Sequence, residues 1–130
     1  MEPVSTYGVL ILVAGLQIKH MVFDGPAQTR WMLAGKGIYG APAGLVHASC
    51  HLLGTLVILL LCSVPFWWSL LLAVGDGAAH YHVDYFKERL VKAKGLTPAD
   101  QGFWWTLAID QLLHHMTYIA IVAILIAGST

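Results

Sequence analysis

The sequence predicts an all-α integral membrane protein, a four-helix bundle made of two antiparallel transmembrane hairpins with both termini on the non-cytoplasmic side. Three observations predict it. Hydrophobic residues make up 58% of the 130 residues and charged ones 11%, with a mean hydropathy of +0.70, against roughly 45–50% apolar and about 25% charged in soluble proteins. Four apolar stretches each come near the ~20 residues that cross a hydrocarbon core as helix. The seven basic residues gather in two places. The same numbers exclude other classes. The chain is too apolar for a soluble globular domain or for disorder, and its seven Lys and Arg are cancelled by seven Asp and Glu, without the basic excess of a nucleic-acid binder. One domain, 1–130, is expected at this length.

The spans lie at about 7–24, 43–64, 66–86 and 103–127. The first is read as a retained helix and not a signal peptide: Glu2 stands where a basic n-region would, and the span runs into Lys19, His20 and Asp24 with no small-residue cleavage site. Gly35, Gly37, Gly40 and Pro42 break the chain before the second span. Cys50 and Cys62 both fall on that span, about 18 Å apart at 1.5 Å per residue, and cannot bridge. The third span is the weakest, with only Trp67 to Val74 strongly apolar before Gly75, Asp76 and Gly77, a setting that suits a kink; it inserts only beside bundle partners. Gly95 ends its amphipathic extension, and Thr97, Pro98 and Asp100 resemble the N-cap and first turn of the fourth helix. Lys19, Arg30 and Lys36 flank the first connection and Lys87, Arg89, Lys92 and Lys94 the third, which places both on the cytoplasmic side of the membrane. Trp67, Trp68, Trp104 and Trp105 at span ends read as interfacial anchors.

What interrupts the spans carries the chemistry. His20 and Asp24, His47 and His51, Asp76, His80 and Asp84, and Asp110 and His114 recur four residues apart, which puts each set on one helix face. Seven His and five Asp placed at random would give on the order of one such pair; the sequence has five, with every span represented. In an antiparallel arrangement Asp24, His47, Asp84 and Asp110 share one level, and His20, His51, His80 and His114 lie about 6 Å deeper, one turn on. The structural alternative is polar glue between helices. An ionisable group near the membrane centre costs at least a few kcal/mol, however, and aspartates among neutral imidazoles need a compensating cation. Imidazole with carboxylate suits zinc, iron or manganese, and the number of ligands points to one or two divalent ions held by facing helices. A bis-imidazole haem would leave the aspartates unexplained. His82 is expected to point away from the cluster, and His115 to contact a ligand or substrate. Asp76 reads as a deeper ligand, a proton relay or part of the kink, and Gln28 and Gln111 as groups that bond to ligands.

These residues also carry a family resemblance. The run His20-x-x-x-Asp24-x-x-x-Gln28 with Trp31, Met32 and Lys36, then His47-x-x-x-His51, His80-x-x-x-Asp84-x-x-Lys87 and Asp110-Gln111-x-x-His114, resembles the bacterial and phage membrane-protein family known as domain of unknown function 3307. The resemblance covers roughly Leu16 to Met116, and its specificity lies in the joint order and spacing. It implies a compact helical membrane protein and no particular activity; the expected location is the bacterial inner membrane. The sequence departs from the family pattern at Gly25 and Pro26, where a kink is expected to carry Gln28 off the ligand face. A looser similarity, in size and in His/Asp-studded helices, is to membrane-bound metal-dependent hydrolases.

The leading functional expectation is hydrolysis of a lipid-linked or amphipathic ester or phosphoester near the cytoplasmic leaflet, with Asp84 or Asp110 as general base and the cluster of eight as metal ligands. Lys87, Arg89, Lys92 and Lys94 would stand at head-group height, where they set topology or hold a phosphate. The alternatives are a dinuclear iron oxidoreductase acting on lipid chains, and a non-enzymatic metal-stapled or metal-transport subunit, either as a homo-oligomer or docked on a larger membrane complex.

Overall fold

A computed structural model describes residues 5–128, which form five helices and, among those residues, no strand. α1 spans Thr6–Asp24, α2 Arg30–Gly35, α3 Pro42–Leu61, α4 Phe66–Ala93 and α5 Gln101–Ala127. The four predicted spans coincide with α1, α3, α4 and α5. The short α2 was not anticipated from the sequence.

Local chemistry sets the boundaries. Ser5 caps α1 by accepting a hydrogen bond from the Gly8 amide, and Thr29 caps α2 through the Met32 amide. Pro42 stands in the first turn of α3, where its missing N–H costs nothing. Ser63 (φ 60) and Pro65 form the sharp turn into α4, and Gly95 (φ 60) follows its last turn. Three helices are long and apolar enough to cross a membrane: α1, α3 and α5, with mean hydropathies of 1.5, 2.0 and 1.6. α4 is not among them, since Asp76, Asp84 and the charged run from Lys87 dilute it. The helix continues through Gly75-Asp76-Gly77 without a break, and a Cβ at Gly77 would stand 2.9 Å from Leu52 Cβ. Gly77 serves close approach to α3.

α1 packs on α3 and α5, and α4 packs on the same two, so the four long helices close a ring; α2 leans on α3. The 25–41 and 94–100 connections emerge at one end. There the Gly40 amide donates to Tyr81 Oη at 2.6 Å, and Gly37 lies against Glu88 and Lys92 of α4. The far end is filled by Leu12, Leu16, Leu59, Leu72, Ile121, Val122 and Leu125. The outer faces are apolar, with Ile11, Ile18, Leu53, Val57, Leu71 and Leu112 all more than half exposed. Exposed apolar groups over a charged interior invert the soluble pattern.

Candidate metal centre

All eight sequence-predicted ligands point into the ring, and seven of them are buried; Asp24 is half-buried. Asp24, His47, His51 and His80 offer ligand atoms that all lie within 4.8 Å of one another, and His80, Asp84 and His114 do the same. His80 belongs to both groups. Its ring stacks between two others, 3.5 Å from His51 and 4.0 Å from His114 between centroids. Asp24 Oδ1 lies 2.9 Å from His47 Nε2, 3.6 Å from His51 Nε2 and 3.7 Å from His80 Nε2. Asp84 Oδ2 lies 3.3 Å from both His47 Nε2 and His80 Nε2, and His114 Nε2 is 3.7 Å from Asp84 Oδ1.

The other two predicted ligands sit beside these groups. His20 comes within 3.3 Å of Asp24 Oδ2, but both of its nitrogens have neutral partners, Tyr118 Oη and Gln111 Oε1, each at 3.0 Å. Of the ligand residues described, Asp110 pairs with His114, its Oδ1 3.6 Å from Nε2, while its Oδ2 accepts a bond from Gln111 Nε2. Among the remaining expectations, His82 is exposed and bonded to the Ala78 carbonyl. His115 is half-buried, with its ring 5.4 Å from His20. Gln28 is not displaced by Pro26: the helix ends at Asp24, and the turn folds Gln28 back so that its Nε2 donates to Asp24 Oδ1 at 3.1 Å.

Two lysines correct the sequence reading. Lys36, expected at the interface, is buried, with its ammonium 2.8 Å from Asp84 Oδ2 and 3.3 Å from Asp24 Oδ1. Lys19, also read as a loop charge, is buried one turn deeper and paired with Asp76 Oδ2 at 2.8 Å. Thr55 Oγ1 donates to the same oxygen at 2.6 Å, and the ammonium lies 4.6 Å from the Tyr118 ring centre. Asp76 thus pairs with Lys19 and Thr55 and belongs to neither ligand group. Tyr118 joins this deeper network to His20.

The donor set fits a cation. The buried atoms His51 Nδ1 and Nε2, His80 Nδ1, His114 Nε2 and Asp110 Oδ1 have no hydrogen-bond partner, and each such atom costs about 1–3 kcal/mol if left so. All but Asp110 Oδ1 belong to residues of the two ligand groups. Four interior carboxylates, of Asp24, Asp76, Asp84 and Asp110, face two interior ammonium groups, of Lys19 and Lys36. With neutral imidazoles two formal negative charges remain, the amount one divalent cation neutralises.

The family model described as protein of unknown function (DUF3307) matches residues 9–130. The chain belongs to the DUF3307 family. No curated protein and no solved structure matches it. Membership thus agrees with the resemblance read from the His/Asp spacing and brings no activity with it, so the chemistry of this DUF3307 chain rests on its own side chains.

Proposed function

We propose that this DUF3307 protein spans the bacterial inner membrane as a four-helix bundle of two hairpins, termini outside, and is a metal-dependent hydrolase of a lipid-linked or amphipathic ester or phosphoester. One observation carries the reading: two ligand groups meet at His80, and the unpartnered buried atoms are concentrated on them. They suit one or two ions of zinc, iron or manganese.

When bound, such an ion activates water and polarises the scissile group. The chain supplies the rest. A cleft of about 550 Å³ between α1 and α5, lined by Gln17, His20, Asp24, Gln111 and His115, admits water to the ligand cluster. Asp84 is engaged by the Lys36 ammonium and suits a ligand's role. Asp110 keeps one carboxylate oxygen free while Gln111 holds the other, which suits a general base.

Elemental analysis of the purified protein after reconstitution with zinc, manganese or ferrous ion tests the reading. His80→Ala removes a member of both groups and is expected to lose the metal, whereas Asp110→Asn keeps it and lowers hydrolysis of a nitrophenyl ester by about 10²–10⁴-fold. Metal below about 0.1 per chain in the unmodified protein would end the proposal.

A further inference from the structure

We infer that His20 is a positioning residue and not a metal ligand: it holds the Asp110 carboxylate through Gln111, in a hydrogen-bond chain whose donors all point the same way. The chain crosses the seam between α1 and α5. Tyr118 Oη lies 3.0 Å from His20 Nδ1, His20 Nε2 lies 3.0 Å from Gln111 Oε1, and Gln111 Nε2 donates to Asp110 Oδ2 at 3.1 Å. Gln111 and Tyr118 stand seven residues apart on α5, two turns along one face, and the imidazole from α1 is held between them.

The carboxylates fix the direction. An ionised Asp110 only accepts, so Gln111 turns its amide N–H to Asp110 and its carbonyl to His20, and His20 Nε2 carries a hydrogen. Asp24 Oδ2, 3.3 Å from the same nitrogen, demands the same. The other end agrees. Tyr118 is fully buried, and His20 Nδ1 is the one hydrogen-bond partner of its hydroxyl among the described residues, so the hydroxyl donates to a lone pair on Nδ1. The Lys19 ammonium, 4.6 Å from the Tyr118 ring centre, keeps that ring in place. With hydrogen on Nε2 and the Nδ1 lone pair engaged, His20 has no electron pair for an ion. It therefore stands apart from both ligand groups although it lies one turn from Asp24 on the same helix face. What His20 supplies is orientation. Its Nε2–H faces Oδ2 of Asp24, whose Oδ1 lies among the ligand imidazoles. Through Gln111 it engages Oδ2 of Asp110, whose Oδ1 stays free on the side of His114. Cutting the chain frees the Asp110 side chain to rotate.

As a role in catalysis this inference rests on the hydrolase reading, in which Asp110 is the base; the hydrogen-bond chain itself does not. Two measurements keep them apart. Long-range proton–nitrogen correlation spectra of the histidine-labelled protein in micelles are recorded in EDTA and then with zinc, and His20→Gln assigns the His20 signal by its loss. His20 is expected to be neutral, with hydrogen on Nε2 and none on Nδ1, and unmoved by zinc that shifts His51 and His80. The tautomer is read on the unmodified protein, so it decides even where a variant fails to fold. For hydrolysis of a nitrophenyl ester by the zinc-loaded protein, His20→Leu and Gln111→Leu are each expected to lower kcat about 10–100-fold with KM unchanged and zinc content kept. The double variant should fall within about twofold of either single one, because both cut one chain. His20→Gln, whose amide donates to Gln111 and accepts from Tyr118, should recover most of the rate. Hydrogen on Nδ1, a His20 signal moved by zinc, loss of zinc from a folded His20→Leu, or losses that multiply in the double variant would each overturn the inference. A parent that shows the stated tautomer but binds no zinc, or never hydrolyses the ester, keeps the chain and loses the hydrolase; one that hydrolyses with His20 in the other tautomer does the reverse.

Discussion

At one end of the molecule Leu12 and Leu16 of α1 meet Leu59, Leu72 and Leu125 of the other long helices; at the other, the same four helices meet through imidazoles, carboxylates and two lysines. The two ends differ in what they lose when a side chain is removed. On the membrane placement proposed above, helices in lipid gain little from burying apolar groups, and packing holds the leucine end. The polar end combines large costs with large compensations, and each charge there depends on a neighbour. The apolar end therefore tolerates truncation, whereas the polar end tolerates paired replacement and not the loss of one member.

Lys19 offers the sharpest way to break that contrast. Lys19→Met leaves Asp76 buried with only Thr55 as partner and is expected to destabilise the protein by about 3–5 kcal/mol. Lys19→Met with Asp76→Leu removes both charges and should recover most of it. Denaturation in mixed micelles followed by circular dichroism measures both. A single variant within about 1 kcal/mol of the parent would show that the pair does not hold the polar end.

The deeper network also marks the limit of sequence reading. The four-residue spacing that exposed the ligand faces continues: Thr55 follows His51, Asp76 precedes His80 and Tyr118 follows His114, each by four. A further turn of the same counting finds all three groups named around Lys19. Lys19 itself was misread because a basic residue near a span's end is usually an interfacial charge, although here it lies five residues inside Asp24. Lys36 carried no such signal. It follows α2, a six-residue helix with no periodic pattern, and its approach to Asp24 and Asp84 depends on how that connection folds back. The long helices were legible because each had a span's length of apolar sequence, and α4 because its polar residues kept one face.

Leu16→Ala probes the apolar end. Leu16 is fully buried among Leu12, Tyr118 and the leucines of the other helices. In water such a truncation costs about 2–5 kcal/mol; on the proposed membrane placement, without a solvent-driven contribution, the expected loss is near 2 kcal/mol, with metal content unchanged. The same micelle denaturation reads the stability. A loss as large as that of Lys19→Met would erase the difference between the two ends.

The smallest effect is expected at a carboxylate that belongs to neither end. Asp100, exposed in the α4–α5 connection, was expected in the first turn of the last helix, after a cap at Thr97-Pro98; it stands instead at the N-cap position, and its side chain turns back to accept bonds from the Thr97 amide and hydroxyl, both at 2.8 Å. Those bonds hold its carboxyl below its usual pKa. Because the folded value is the lower one, the stabilisation is complete above the unfolded value of about 3.9 and is lost as pH falls through the folded value. Asp100→Ala should therefore lower the unfolding midpoint slightly at neutral pH and speed exchange of the Thr97 amide, with the difference from the parent disappearing in acid. Water surrounds this carboxylate and stands in for any bond it loses, which is the compensation that Asp76 and Asp84 lack. A penalty at Asp100 comparable to that at Lys19 would mean that burial is not what makes the interior charges costly.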